Sequence, residues 1–259
     1  ELKRIENSLN SLKNQTNKSF TVYFVDSGTE HTLAKDVENL VNTYDFVTYV
    51  YHNTQHQPWN KSRTLNSAIK SLDGGFCFVA DVDMIFRNDF VEIANQLQKP
   101  NKATYFKVGF LDQVETQRDK EFEHCNIKFE STSEATGLTM FPVENLKKIH
   151  GFDEFYHFWG SEDTDVHVRL KHSGCDVQFY DKDILMLHQW HESYRIKDIV
   201  DQQKGYIGGE YRLGIIPTIM PTLLPLFLKN FVNKYPKVNL KIEEQNTETL
   251  IEKLEDGYL

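Results

Sequence analysis

The stretch that most constrains the fold runs from Gly75 to Met84 and reads GFCFVADVDM. A continuous apolar run that glycines open and acidic residues close predicts a buried strand of a parallel sheet, ending at the carboxyl edge of that sheet. Open α/β sheets bind their ligands at this edge. The stretch therefore predicts an α/β fold with a ligand site close to Asp81 and Asp83.

The spacing of Asp81 and Asp83 suggests a metal site. Residues two apart in an extended chain lie on the same side, so both carboxylates would hold one hard divalent cation and the phosphates it neutralises. A second interpretation stays open on this spacing alone. In it, Asp81 caps the turn that leaves the strand and Asp83 is solvated.

Composition narrows the classes of protein to which the chain can belong. The chain has 259 residues, 39% of them hydrophobic, and a formal net charge of −9, which supports a real core and argues against a nucleic-acid surface. Its three cysteines, widely spaced and without a Cys-X-X-Cys, predict neither a disulfide framework nor a structural zinc site, and favour the cytoplasm. No apolar run reaches the length of a transmembrane segment and no signal peptide opens the sequence, so membrane contact is expected to be peripheral at most.

A second strand that ends in an acid lies near the start of the sequence. Residues 1–14 carry apolar side chains at helical spacing, so the chain is expected to begin inside an amphipathic helix, as a truncated domain would. Residues 20–29 predict a strand that ends at Asp26 and turns at Gly28. Asp26 is therefore also expected at the carboxyl edge of the sheet.

The segment from Trp59 to Leu72 predicts a helix with two cations, Lys61 and Arg63, in its first turn. Cations there oppose the helix dipole, an arrangement that makes sense if an anion docks at that end. Two solvated surface charges explain the segment equally well when it is considered alone.

Four pieces of the chain resemble, in their order and spacing, the family 2 glycosyltransferases with the type A nucleotide-diphospho-sugar transferase fold. The pieces are SLNSLKNQT at 8–16, FVDSG at 24–28, SRTLN at 62–66 and DVD at 81–83. The resemblance implies a mixed, mostly parallel central sheet flanked by helices, from which the family's usual first strand is missing. It implies that Asp26, Ser27, Arg63 and Asp81 bind the donor, Asp26 through its nucleoside. The Asp-X-Asp pair, Asp81 and Asp83, would hold Mn²⁺ or Mg²⁺ on the donor diphosphate.

A second constellation lies at 159–163, which reads WGSED. Ser161 as cap, acids in the first turn, cations near His172 and Gly174 after the end are ordinary helix boundary signals, so Glu162 and Asp163 are explained by a helix start alone. The tract also looks like the Trp-Gly-X-Glu-Asp acceptor motif of galactosyltransferase-like and chondroitin-polymerase-like members. With Asp81 and Asp83 upstream, we prefer the functional interpretation.

The chemistry of an inverting transfer assigns roles to this tract. The acceptor hydroxyl attacks the anomeric carbon directly, so one carboxylate must take its proton while a metal stabilises the departing diphosphate. We assign Asp163 as the base and Glu162 as a ligand that orients acceptor hydroxyls. Trp159 would supply a platform for the apolar face of the acceptor sugar.

Two histidines complete the predicted metal site. Residues 183–191 predict a strand that ends with His188 and His191. In enzymes of the resembling family a histidine after such a strand is the third protein ligand of the metal, which implies that His188 has this role, with His191 as second choice.

After Tyr194 the character of the sequence changes. Residues 195–259 resemble the start of the effector domain of LysR-type transcription regulators, closest to the peroxide-sensing group, without the DNA-binding segment or the sensing cysteines. The pattern predicts a connector helix near 197–205, two strands near 211–216 and 238–242, a helix over 221–235 between the strands, and an acidic helix after them. We therefore expect a type A glycosyltransferase domain over 1–194, lacking its first strand, and a connector helix with a partial effector-binding lobe over 195–259.

Two functional classes follow. The first is a metal-dependent inverting glycosyltransferase that moves a sugar from a nucleotide diphosphate donor, a UDP-sugar, to a glycan acceptor in bacterial surface polysaccharide synthesis. The second is a non-catalytic small-molecule-binding or regulatory protein related to LysR-type regulators. In the first, the partners are the donor and the acceptor, with no nucleic acid.

Overall fold

A computed structural model of the chain describes residues 2–55, 57, 59–118, 120–156, 161–192, 209–215, 228, 231–233 and 238–255. Backbone contacts divide the chain into two compact units, Glu1–Ser193 and Tyr194–Leu259. In this described part, no helix is both long enough and apolar enough to cross a membrane.

The larger unit alternates helices and strands. Its described helices are α1 (Leu2–Lys13), α2 (His31–Val41), α3 (Lys61–Lys70), α4 (Phe90–Leu97), α5 (Gln113–Thr116), α6 (Val143–Lys148) and α7 (Glu162–His172). Its described strands are β1 (Val22–Ser27), β2 (Val47–His52), β3 (Phe76–Val79), β4 (Met84–Phe86), β5 (Lys102–Phe106), β6 (Gly109–Phe110), β7 (Phe129–Glu130), β8 (Thr139–Pro142), β9 (Asp176–Tyr180) and β10 (Met186–His188).

The strands of this unit form mixed sheets. Their orders are β1-β2, β3-β8-β5-β9 and β4-β10-β6-β7. The pairs β1–β2, β5–β9 and β6–β10 are parallel, whereas β3–β8, β5–β8, β4–β10 and β6–β7 are antiparallel. Helices flank these sheets, so the unit has the mixed α/β architecture that the sequence predicts.

The strand predicted over Gly75–Met84 is split. The extended chain ends at Val79, turns at Asp83 and resumes in β4. The described neighbour of β3 is β8, which runs antiparallel to it, and this corrects the expected parallel pairing. A continuous apolar run indicates that both faces of a strand are covered. It does not indicate whether the neighbouring strand is parallel or antiparallel. Because the extended geometry stops at Val79, Asp81 and Asp83 do not continue one face of a strand.

Both ends of this split strand are anchored in an aromatic core. Phe78 of β3 and Phe86 of β4 pack with Phe90 and Phe106 at ring-centroid distances between 5.0 and 6.2 Å, mostly edge to face. A fully buried phenylalanine stabilises a fold by about 1.5–3 kcal/mol. The core therefore holds in place the two strands, β3 and β4, on either side of the turn at 80–83.

Helix α1 is fastened to the last strand of the unit through a buried glutamine. Gln189 donates from Nε2 to the carbonyl oxygens of Arg4 and Asp83, both at 3.1 Å, and accepts from Asn7 Nδ2 at 2.9 Å. Gln15, also buried, bonds with backbone groups of the segment after β4. The first helix is therefore an integral part of the unit.

The smaller unit contains a parallel pair of strands and a helix, namely β11 (Gly209–Ile215), β12 (Val238–Glu244) and α8 (Thr247–Glu255). Both strands lie where the sequence predicts them. The connector helix predicted near 197–205 lies outside the described residues. The helix predicted over 221–235 is described only at 228 and 231–233, which are helical.

Candidate functional site

Asp83, His188 and His191 lie together at the end of β10. The antiparallel register of β4 and β10 pairs His188 with Met84, which brings His188 beside Asp83. Asp83 Oδ2 is 3.5 Å from His188 Nε2 and 3.2 Å from His191 Nε2. One ligand atom from each of the three residues lies within 4.8 Å of the other two. A carboxylate with two imidazoles is a ligand set that suits several divalent transition metals.

The state of Asp83 fits a cation at this point. The residue is only 8% exposed, and among the described residues its buried Oδ1 has no hydrogen-bond partner. Burial raises the pKa of Asp83, His188 and His191 oppose this change, and Asp81 adds to it. A buried carboxylate oxygen without a partner is costly, and coordination to a metal would satisfy it.

Neighbouring groups orient this set of ligands. The backbone N–H of Gln189 and its Nε2 both donate to the carbonyl oxygen of Asp83, at 3.0 and 3.1 Å. The ring of His188 lies 4.9 Å from the ring of Phe110 and 5.3 Å from that of His191, measured between centroids. Supports of this kind fix the orientation of metal-binding side chains.

Asp81 is engaged elsewhere. Its Oδ1 lies 3.1 Å from Nζ of Lys61, the first residue of α3, whose side chain is 18% exposed. Burial lowers the pKa of Lys61, but the negative charges of Asp81, Asp163 and Glu162 outweigh burial and hold that pKa above its usual range. Lys61 thus stays charged between the Asp-Val-Asp turn and the acids of α7. The sequence located this cation in a first helical turn but gave no signal for its partner.

The acids Glu162 and Asp163 open α7 in a largely buried position. Burial raises the pKa of Asp163 to about 6; Lys61 acts in the opposite direction, and Glu162 and Asp81 add to the increase. Asp163 also approaches Gly137, where a Cβ atom would lie 3.2 Å from Asp163 Oδ2. Asp163 is therefore a carboxylate that is ionised at neutral pH yet more basic than usual.

The other residues of the predicted acceptor motif are placed less fully. Ser161 stands at the N-cap of α7 as predicted, but its side chain makes no capping hydrogen bond. Trp159, the predicted sugar platform, lies outside the described residues.

A cavity of about 180 Å³ opens beside the ends of β1 and β2, and Ser27 and Arg63 are among the residues that line it. Gly28, with φ of +81°, lets the chain turn there, because a Cβ atom at this residue would lie 2.5 Å from Thr54 Oγ1. Asp26 is buried and is not among the lining residues. Its carboxylate accepts from Thr29 N at 3.0 Å and from the Tyr49 hydroxyl at 2.9 Å, which fixes the turn that carries Ser27.

Helix α3 connects this cavity with the segment that precedes α7. Asn60 caps the helix by accepting from Arg63 N at 2.8 Å, and its Nδ2 donates to the carbonyl oxygen of Glu154. Asn66 donates to the Glu154 carboxylate at 3.0 Å, and Arg63 Nε lies 3.5 Å from the same carboxylate. The Nη1 group of Arg63 also donates to Gln57. Helix α3 is therefore joined, through Asn60, Asn66 and Arg63, to Glu154 in the segment that precedes α7.

Solved structures with this architecture include nucleotide-sugar transferases of type A. S. aureus TarS 1-349 in complex with UDP-GlcNAc matches with a TM-score of 0.56 and 16% identity, over 79% of this chain and 62% of that chain. GalNAc-T7 with UDP, GalNAc and Mn²⁺ matches with a TM-score of 0.50 and 13% identity, over 76% of this chain and 44% of that chain. At these identities the likeness shows the fold, which is the type A nucleotide-diphospho-sugar transferase fold.

Family models define the family. The model of glycosyl transferase family 2 matches residues 1–148, more than half of the chain, and the protein belongs to this family. The model described as the N-terminal domain of galactosyltransferase matches residues 116–193, and that of the LysR substrate binding domain matches residues 204–259. These matches confirm both resemblances found in the sequence.

Curated relatives are galactosyltransferases. Beta-1,4-galactosyltransferase 5 of Sus scrofa is 27% identical over 136 residues, which are 51% of this chain and 31% of that protein. Beta-1,4-galactosyltransferase 6 of Rattus norvegicus is 26% identical over 137 residues, again 51% of this chain and 32% of that protein. The chain thus spans about a third of the length of the curated relatives it matches.

Proposed function

We propose that this protein is a metal-dependent inverting glycosyltransferase that moves a sugar from a nucleotide diphosphate donor, a UDP-sugar, to a hydroxyl of a glycan acceptor. The observation that carries the proposal is the buried carboxylate of Asp83, which lies beside His188 and His191 and whose Oδ1 has no hydrogen-bond partner among the described residues. This group lies in a family 2 domain whose structural neighbours include complexes with UDP-GlcNAc and with UDP and Mn²⁺.

Asp83, His188 and His191 would hold the divalent cation, which when bound neutralises the charge that develops on the diphosphate as it leaves. Two imidazole ligands favour Mn²⁺ over Mg²⁺, because magnesium prefers oxygen ligands and keeps several waters. Asp81, held by Lys61 at 3.1 Å, would face the donor beside this group.

Asp163 would act as the general base. It accepts the proton of the acceptor hydroxyl while that oxygen bonds to the anomeric carbon and the bond from this carbon to the diphosphate breaks, with inversion. A pKa of about 6 keeps the carboxylate ionised at neutral pH while bringing it closer to the ideal value for proton transfer. Glu162 and Trp159 are proposed to bind the acceptor, by orienting its hydroxyls and by stacking on its sugar.

The cavity beside Ser27 and Arg63 would receive the nucleotide of the donor. Both residues line it, and Arg63 sits in the first turn of α3, where a cation and the helix dipole attract an anion. Asp26 would contribute by fixing the turn at 26–29 through its bonds to Thr29 and Tyr49.

We also propose a division of labour along the chain. Every residue assigned to the site lies before Arg195, so residues 1–194 would carry the transferase and the LysR-like segment at 195–259 would be dispensable for catalysis. We further propose bacterial surface polysaccharide synthesis, with the enzyme in the cytoplasm, as the setting.

A thermal-shift experiment tests the function. A ligand that binds only the folded state at a hundred times its Kd stabilises a protein by about 2.7 kcal/mol, so UDP with Mn²⁺ should raise the melting temperature. The increase should require both components, vanish with EDTA, vanish in Asp83→Ala, and persist in Asp73→Ala, a matched change of an exposed aspartate. Equal protection of Asp83→Ala would contradict the proposal and favour the non-catalytic alternative.

A further inference from the structure

An exposed aromatic ring stands at the edge of the sheet that carries the candidate metal ligands. Phe129 is 54% exposed and lies on β7, the edge strand in the order β4-β10-β6-β7. Its ring is parallel to that of its cross-strand partner Phe110, with centroids 4.5 Å apart and an interplanar angle of 9°. The Phe110 ring in turn lies 4.9 Å from the ring of His188. The rings of His188, Phe110 and Phe129 therefore form a row from the candidate metal ligands Asp83, His188 and His191, called the metal group below, to the edge of the sheet.

Hydrogen bonds between the segments around β6 and β7 hold Phe129 in place. On one side of Phe129, Lys128 N donates to the carbonyl oxygen of Phe110 at 2.8 Å; on the other, Ser131 N donates to the carbonyl oxygen of Val108 at 2.8 Å. The Ser131 hydroxyl also accepts from Val108 N at 2.9 Å. Single exposed apolar side chains are common, but a ring fixed parallel to a second ring offers a flat apolar face in a set orientation.

The position of the exposed Phe129 ring indicates which ligand would pack on it. Phe129 lies on β7, the edge strand of the sheet whose strand β10 ends at His188. Its ring is two ring layers from the ring of His188. Phe129 is not among the residues that line the cavity at the ends of β1 and β2, where the nucleotide is proposed to bind. A ligand on Phe129 would therefore lie beside the candidate metal ligands, in a place that the proposed nucleotide cavity does not use.

We propose that Phe129 is a stacking platform for a pyranose ring of the acceptor glycan. The inference rests on the proposed function, because it requires a sugar acceptor to arrive beside the metal group. One face of a pyranose presents C–H groups that pack flat on an aromatic ring, while the hydroxyls at the rim stay in water. Phe129 would then help to select the acceptor.

Saturation-transfer NMR tests the platform. The probes are methyl β-glucopyranoside, methyl β-galactopyranoside and methyl N-acetyl-β-glucosaminide, each at millimolar concentration, with UDP and Mn²⁺ present. Wild-type protein should saturate the ring C–H protons of at least one probe. Phe129→Ala should weaken that signal by about fivefold or more, and Phe129→Trp should retain it, since aromatic anchors dominate such contacts. Tyr23→Ala is the matched control, because Tyr23 is 43% exposed on β1, near the end of the strand away from the site.

The same samples separate this inference from the proposed function. Protection by UDP and Mn²⁺ should be equal in wild type and Phe129→Ala, which also shows that the variant is folded. A probe signal that Phe129→Ala leaves unchanged, or the absence of any signal from wild type, overturns the platform. A Phe129-dependent signal in a protein that UDP does not protect overturns the proposed donor chemistry and leaves the platform supported.

Discussion

Replacing Asp163 with Asn should make the folded protein more stable at neutral pH while removing its activity. The reason is the pKa of this carboxyl group, which burial raises from 3.8 to about 6 even though Lys61 acts against the change. In the folded state the ionised carboxylate therefore lies in an environment that disfavours its charge. Asparagine has nearly the same shape and carries no charge.

The sign of the effect follows from linkage. Because the folded-state pKa lies above the unfolded value, the contribution of Asp163 to stability is complete below about pH 4 and is lost as the pH rises to about 6. Each unit of pKa shift is worth about 1.4 kcal/mol, so the loss is about 3 kcal/mol, and about 2 kcal/mol if partial exposure screens the charge. The free energy of unfolding of Asp163→Asn, relative to wild type, should increase by this amount between pH 4 and pH 7.

Urea unfolding measured at several pH values checks this number. The three tryptophans, Trp59, Trp159 and Trp190, all precede residue 194, so their fluorescence follows the larger unit alone. The exposed Asp73→Asn is the control and should show no pH-dependent gain. A difference between Asp163→Asn and wild type that is the same at pH 4 and pH 7 would refute the argument. The same variant should lower kcat by about two to four orders of magnitude, with little change in donor affinity.

Three further predictions concern the neighbours of Asp163 and the segment after Tyr194. Lys61→Met should move the acidic limb of the pH–rate profile upward by about one pH unit, because the nearby positive charge that lowers the Asp163 pKa is gone. Lys61→Arg keeps the charge and should leave the limb in place. An acidic limb that does not move in Lys61→Met contradicts this prediction. Glu162→Gln should raise the acceptor KM more than it lowers kcat, measured by steady-state kinetics, and a pure kcat effect would argue against a role in acceptor binding. A chain ending at Tyr194 should keep the protection by UDP and Mn²⁺ seen with the full chain; its loss in a still-folded truncated protein would assign the LysR-like segment a part in the site.

The sequence predicted those features that local chemistry determines. An apolar strand followed by an acid was enough to locate β1 with Asp26 and β3 with its Asp-Val-Asp turn. Apolar spacing located α3, and the structure adds that Asn60 caps it by accepting a 2.8 Å bond from Arg63 N. Such signals work because they depend on neighbours within one helical turn or one strand.

Features that depend on distant partners could not be predicted. No residue close to Asp81 in the sequence indicates that Lys61 is its partner, and none close to β3 indicates that the strand ends at Val79. The aromatic pair of Phe110 and Phe129 belongs to strands of two residues each, which are too short to leave a period in the sequence. Each of these depends on tertiary contacts.

The hydrogen bonds of Gln189 also bear on how the enzyme is made. Its Nε2 binds the carbonyl oxygen of Asp83, 106 positions earlier, and that of Arg4, 185 positions earlier. Contacts of such long sequence separation form late, since the intervening loop must be closed before they add stability. During synthesis, a nascent chain whose residue 189 is still in the ribosomal exit tunnel has Asp83 outside the tunnel without either histidine beside it. The proposed metal group would therefore be assembled only after His188 and His191 have left the tunnel and joined Asp83.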